Sequence, residues 1–342
     1  MTKKKLFKII HNYFSNTDID AIKWQEILEN CSSYPSKYHL LNTIKYFVAY
    51  FSKSNSIDLS IILYENHQAV GLMPLMAHKN KNNQWILSGN GTDILEPIFK
   101  SSLSYKVKKK FEIQILNLIF DLAKELKINK CQFVNMELFR LSEWYVRLLD
   151  LTEETFTTHH YLVNLSLSIE EIRLRLRKSF KSLVNQGFRE WKIQVHEKTT
   201  KELFENFRLL HKSVAKKTTR PIETWNIQKQ QIDSGESILV TVSDKKNFLV
   251  GAGLFAYTSF LAKYAVGVYK RELFDKPLGH AVQIKAIEIF KKKGLNWYEI
   301  GQYHLKIDKY PPTEKELSIS YFEKGFATDV VARQHLVISI KH

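Results

Sequence analysis

The sequence predicts an α/β (α+β) protein of two tandem domains, over 1–150 and 161–342, each a mixed sheet flanked by helices. Three observations carry that reading. The stretch Leu261–His304 reads as strand, loop, amphipathic helix and strand, the order of a parallel crossover. A matching order of hairpin, strand, loop, helix and strand occurs earlier, between Leu59 and Val134, without sequence identity between the two copies. Finally, 44% apolar content over 342 residues suffices for two separate cores and is too high for a disordered chain.

In chain order, MTKKKLFKIIHNYF has the basic start of a signal peptide but neither a sustained apolar region nor a small-residue cleavage site. Asp18–Leu28 suggests a helix with Trp24 and Ile27 inward, and 34–51 follows as an aromatic-rich stretch. Leu59–Tyr64 and Ala69–Met76 flank a polar turn at Glu65–His67, the pattern of a hairpin. Trp85–Ser88 adds a strand, and GNGTDILEP (89–97) is loop by its glycine, asparagine and proline. Phe111, Ile115, Leu118, Leu122 and Leu126 then recur at helical spacing, Cys131–Val134 closes a strand, and 150–160 is a polar link.

After the link, Tyr161–Leu167 reads as a strand, and Ser168 with Glu171 forms a capping box. The helix it opens carries Arg173, Arg175, Arg177, Lys178 and Lys181 up to Gly187, with Arg189 and Lys192 beyond. A second box, Thr199 with Glu202, opens a helix with Leu203, Phe207 and Leu210 inward. His211–Trp225 reads as a loop. Ile238–Val242 and Leu249–Phe255 flank a turn at Asp244–Asn247, and Leu261–Val268 is a third strand. Val282, Ala286, Ile289 and Phe290 mark the next helix, Gly294 its left-handed stop, and Trp297–Ile300 the strand after it. SISYFEKGF and an alternating strand, LVISI, close the chain.

Lys and Arg number 51 against 35 Asp and Glu, a formal net charge of +16, which favours phosphate-bearing ligands, nucleic acid or an anionic membrane face. No helix-turn-helix, RNP or zinc motif supports reading of specific DNA. Cys31 and Cys131 make neither a disulfide framework nor a zinc site, so no metal is expected. No run approaches the ~20 apolar residues of a spanning helix. The expectation is a cytoplasmic protein, its basic surface suited to peripheral contact with the inner membrane.

Three segments, RLRKSFKSLVNQGF, KAIEIFKKKGLNWYEIG and ELSISYFEKGF, occur in the order of, and resemble, a basic helix ending at a glycine, the last helix and strand, and the closing segment of the FemAB-like branch of the GNAT acyltransferase superfamily. The resemblance covers Trp24 to the carboxyl terminus and is strongest after Tyr161. It implies transfer of an acyl or aminoacyl group to an amine, with acyl-CoA or aminoacyl-tRNA as co-substrate. The acceptor it suggests is an amino sugar on a phosphate-bearing small molecule or lipid carrier in cell-envelope or polysaccharide synthesis. A tRNA-dependent extension of a peptidoglycan precursor is the alternative, and a non-catalytic basic binding protein the third reading. The loop YKRELFDKPLGHA departs from the superfamily's glycine-rich coenzyme A turn, since Gly279 stands alone at the helix start.

Acyl transfer to an amine needs a proton acceptor, a donor to the tetrahedral oxyanion and aligned substrates. Ligands in open α/β sheets settle at the carboxyl ends of strands and the amino ends of following helices. This selects His280, His304, Tyr264 and Glu299 as catalytic candidates. Arg220 offers a fork for a carboxylate or phosphate and Trp225 a ring for a sugar, with His211, Tyr269, Gln302 and Tyr303 as further substrate contacts. Lys270, Arg271, Lys276 and Gly279 are the candidates for a pyrophosphate. The corresponding first-half loop, 89–105, holds Asp93 and Glu96 but no histidine or arginine.

Overall fold

The computed structural model describes residues 3–15, 18–31 and 33–341. The chain divides into two compact units, Met1–Thr157 with Arg333–His342, and Thr158–Ala332. Sheets flanked by helices occur in both, as the sequence predicts.

The first unit opens with α1 (Lys3–Tyr13), whose Leu6 and Ile10 are buried; the basic start is an amphipathic helix of the fold. Asp20 caps α2 (Ala21–Glu29), its carboxylate accepting from the Ile22 and Lys23 amides, and α3 (Leu41–Tyr50) follows. Strands β1 (Ile57–Asp58), β2 (Ile61–Glu65), β3 (Gln68–Met73), β4 (Met76–Lys79), β5 (Trp85–Ser88) and β6 (Ile98–Phe99) come next. They pair as two antiparallel sheets, β1-β4-β5 and β2-β3-β6. Asn66 and Asn-like His67 of the β2–β3 turn lie at φ 49° and 63°, the two left-handed residues that match a hairpin's twist. The expected long helix is α4 (Tyr105–Glu125), burying Phe111, Ile115, Leu118, Ile119 and Leu122 along one face. β7 (Lys130–Val134) and α5 (Glu143–Leu149) follow.

Gly91 has φ +90°, and a Cβ there would come 2.1 Å from the Phe47 ring. Gly91→Ala is therefore expected to cost on the order of 1–3 kcal/mol, from backbone strain plus overpacking. Denaturant unfolding of the variant checks it, and an unchanged midpoint would contradict the crowding.

The stretch 150–160, expected as a polar link, becomes strand from Glu154: β8 (Glu154–Asn164) is continuous. The second unit then holds α6 (Ile169–Arg175), α7 (Lys178–Glu190), β9 (Lys192–His196), α8 (Lys201–Ala215), α9 (Ile222–Asp233), β10 (Ser237–Ser243), β11 (Leu249–Tyr257), β12 (Leu261–Tyr269), α10 (Leu278–Lys292), β13 (Trp297–Tyr303) and α11 (Glu314–Glu323). β14 (Asp329–Ser339) enters the first unit at Arg333, where His335–Ser339 pairs antiparallel with β7.

Within the second unit the sheet runs β9-β10-β11-β12-β13-β8, antiparallel except for the parallel pair β12–β13. Ile238, Val240 and Val242 of β10 join Val282, Ala286 and Phe290 of α10 in one core. Leu239, on the other face, packs with Phe204 and Phe207 of α8 and Trp225 of α9, as period-two alternation requires. Gly294, at φ +79°, ends α10 as expected.

Four sequence expectations need correction here. The basic helix is two, because the Arg177 backbone turns away to donate to Gly325 O at 2.9 Å, leaving a break before α7. Gly187 does not end α7; it lies where α7 crosses α10, and a Cβ there would meet Ala281 Cβ and Pro277 O at 2.9 Å. The second cap is Thr200, whose hydroxyl accepts from the Leu203 amide, rather than Thr199. His211 and Trp225 are helical, leaving 216–221 as the loop.

Candidate functional site

β12 and β13 pair only at Leu261↔Trp297, Ala262↔Tyr298 and Lys263↔Glu299, although both strands continue, to Tyr269 and Tyr303. Past Lys263 and Glu299 the strands part. Each is irregular at that level: β12 slips register against β11 next to Tyr264, and β13 slips against β8 between Glu299 and Gly301. Such bulges bend a strand and redirect its side chains.

The opening is lined by charge and hydroxyl groups. Glu299 is 1% exposed, and its Oε1 accepts from Lys263 Nζ at 2.7 Å and from His160 Nδ1 at 3.0 Å. The other ring nitrogen of His160, Nε2, lies 3.0 Å from the Thr158 hydroxyl, so both nitrogens are held. Glu323 of α11 reaches the same place. A Cβ on Gly301 would meet the Glu323 carboxylate at 1.8 Å, so only glycine leaves room for it. Burial first, and then the Glu299 carboxylate, push Glu323 up to about 8 against the opposing pull of Lys263.

Tyrosines complete the lining. The Tyr264 and Tyr269 hydroxyls lie 3.3 Å apart, and enclosure in the fold raises both well above the ordinary phenol range. Tyr298 is fully buried and donates to Gln283 Oε1 at 2.5 Å. All three hydroxyls keep their protons; that of Tyr298 is given to Gln283, and one of the Tyr264–Tyr269 pair donates to the other, leaving one proton of that pair to give. Exposed Gly267 also belongs here, since a Cβ on it would lie 1.9 Å from the Tyr264 hydroxyl.

The remaining candidates are distributed around this opening or away from it. His280 sits edge-on to Phe180 at 4.4 Å and Phe322 at 5.2 Å, with Phe326 at 6.0 Å, and neither ring nitrogen has a hydrogen-bond partner among the described residues. Burial, helped by Arg177, pulls it down to about 4, so it is a neutral ring in an aromatic cage. The His304 amide donates to Ser320 Oγ at 3.3 Å, and its Nδ1 is 3.8 Å from Asp308. Tyr303 stacks on Tyr161 at 5.0 Å, and Gln302 is in register with His160.

Arg220 lies 3.7 Å over the Trp225 ring and donates to Gln228 at 2.6 Å, with His211 5.1 Å from the same ring. Trp225 is 5% exposed and packs on Phe204 and Phe207, so it caps the core and has no open face for a sugar. Burial pulls His211 down to about 4, with Arg220 and Lys315 adding to it. The cavity beside them holds only about 50 Å³.

The expected pyrophosphate set is dispersed. Arg271 donates to Val214 O at 3.1 Å, Lys276 pairs with Asp275 at 2.9 Å, and Lys270 lines a separate open groove with Lys192, Asn206 and Ser243. Gly279 faces the Tyr269 and Phe322 rings, and Pro277 at the N-cap brings no amide proton. Among the described residues no group of three or more His, Cys, Asp or Glu could hold a metal, and no helix is long and apolar enough to cross a membrane.

The sequence reading missed Glu323, Lys263 and His160. Glu323 lay inside the closing segment ELSISYFEKGF, Lys263 on a strand read for packing and His160 at the end of the expected polar link, and no spacing rule links positions 160, 263, 299 and 323.

No protein-family model matches the sequence, and no curated protein matches it. Solved structures do. FemX is similar at TM-score 0.65 and 12% identity, over 93% of this chain and 96% of that one. L-PGS from Bacillus licheniformis is similar at TM-score 0.62 and 12% identity, over 96% and 94%. The C-terminal domain of a putative lysylphosphatidylglycerol synthetase from Agrobacterium fabrum gives 0.61 and 9%, over 93% and 90%. The chain shares its fold with these three proteins, in keeping with the fold that the resemblance implies.

Proposed function

We propose that the protein is an acyltransferase that moves an acyl or aminoacyl group onto an amine in the opening between β12 and β13. The observation that carries this is the parting of two parallel strands at a buried Glu299–Lys263–His160 cluster, beside tyrosine hydroxyls that retain their protons. In that opening one hydroxyl of the Tyr264–Tyr269 pair is placed to donate to a tetrahedral oxyanion, and Lys263 adds positive charge in a poorly solvated setting. The fold shared with FemX and L-PGS supports the reading without specifying the substrate.

The acceptor we favour is an amino sugar on a phosphate-bearing carrier, in keeping with the net charge of +16. Because one structural neighbour is named for an aminoacylated lipid, an aminoacyl donor belongs beside acyl-CoA in the test. Purified protein is incubated with radiolabelled acetyl-CoA or with a labelled aminoacyl-tRNA pool, together with nucleotide-linked and lipid-linked amino sugars. The expected result is alkali-stable, amide-linked label from one donor. Absence of labelled amide from both donors contradicts the proposal.

A further inference from the structure

Two carboxylates meet inside the opening with too little positive charge to keep both ionised. Glu299 on β13 is 1% exposed and Glu323 on α11 is 7% exposed, and the missing side chain of Gly301 lets the second approach the first strand. The groups that face Glu323 come from every element around it. β13 brings Glu299 and Tyr298, β12 brings Lys263 and Tyr264, and β8 brings Tyr161, with His160 of β8 reaching Glu299 and Tyr269 reaching Tyr264. Arg177 ahead of α7 and Lys324 beside Tyr303 are the nearby cations of the rim. Lys263 Nζ and the His160 N–H both reach Glu299 Oε1, and the pull of Lys263 on Glu323 is outweighed by burial and by the Glu299 carboxylate. One proton shared by the pair is the arrangement that low dielectric and like charge favour.

Resting on the transferase reading, we infer that Glu323 is the catalytic base, taking the amine's proton during transfer, and that in the resting protein it shares one proton with Glu299. The step balances without any further reactant. The step starts from the form in which the shared proton rests on Glu299 and Glu323 is ionised: the nitrogen of the neutral amine bonds to the acyl carbon, an N–H proton passes to the Glu323 carboxylate, and the negative charge moves to the carbonyl oxygen. The bond from carbon to the leaving sulfur or oxygen then breaks as the carbonyl re-forms, and Glu323 returns the proton to that leaving atom. The histidines named from sequence are worse placed: His280 is caged by phenylalanines, and His304 turns its Nδ1 toward Asp308. A carboxyl held near 8 is matched to proton transfer around neutral pH.

Two measurements test this. Protein labelled with ¹³C at glutamate Cδ is titrated by NMR, which needs no turnover. One carboxyl should titrate near pH 8 in the wild type, above buried Glu96 at about 7, and that signal should vanish in Glu323→Gln with Glu299 alone shifting among the other glutamates. A high-pH glutamate signal that persists in Glu323→Gln, or the absence of any glutamate titrating above Glu96, overturns the shared proton. In the labelled-amide assay, Glu323→Gln should lose about 100-fold or more in kcat with KM little changed, and its rate should lose the wild type's dependence on a group near pH 8. Glu323→Asp should recover part of the rate. A wild type that transfers while Glu323→Gln transfers equally well overturns the base role alone. A wild type that titrates as described but forms no amide from either donor overturns both that role and the transferase reading.

Discussion

Glu323→Gln is expected to make the folded protein more stable at pH 8.5 by about 4–5 kcal/mol and to leave its stability at pH 4.5 nearly unchanged. Glu323 titrates at about 8 in the native fold, above its ordinary value of 4.5. Between those values the native state holds a proton that the unfolded chain has released, so stability is lost as pH rises through this window. Each unit of difference is worth about 1.4 kcal/mol, and glutamine, having no proton to lose, removes the whole dependence. Buried His39 works in the opposite sense. Burial lowers it to about 4, so stability falls as pH drops below 6.5, but equally in both proteins. Guanidinium unfolding at the two pH values measures the difference. A stability gap that does not vary with pH would show that Glu323 is not a buried acid. If the gap is as expected, a residue that costs stability at working pH is retained by the fold, which is the usual mark of a functional group.

Lys263→Met is the complementary change and is expected to cost about 3 kcal/mol at neutral pH. The substitution keeps most of the apolar stem and removes the charge, leaving the Glu299 carboxylate buried beside His160 without the ammonium. The loss should shrink as pH falls, because a protonated Glu299 no longer needs the cation. Lys263→Met combined with Glu299→Gln should recover much of the stability, since the uncompensated charge is gone. A single variant that costs under about 1 kcal/mol, or a double variant whose two costs simply add, would mean that the pair is not coupled in a poorly solvated site.

The periodic and punctuated parts of the fold were legible in the sequence, and the long-range parts were not. α4 and α10 declare themselves by apolar residues at helical spacing and by Gly294, and the β2–β3 and β10–β11 hairpins by short polar turns between apolar runs. The break before α7 was hidden because its cause, Gly325, lies far along the chain. Trp225 looked like a ligand platform because a tryptophan beside a proline and an arginine gives no sign that the arginine itself covers the ring. In the site, Glu299 and Tyr264 could be chosen because each lies on a strand flanking the crossover. Glu323 could not: its meaning depends on Gly301 having no side chain, a contact across 22 residues that periodicity does not encode.

The central claim is that chemistry takes place where β12 and β13 part. The direct test is the initial rate of amide formation by wild type and by Gly267→Val, using whichever donor passes label in the transfer assay, with both proteins shown to be folded. A side chain at Gly267 enters the opening against the Tyr264 hydroxyl. Phe248→Ala serves as the control, because Phe248 lines the separate groove with Lys192 and Lys270. The account predicts a loss of about 100-fold or more for Gly267→Val, by misplacement of the reacting groups, with Phe248→Ala near the wild-type rate. A wild-type rate in Gly267→Val, with the loss appearing in Phe248→Ala instead, would contradict it.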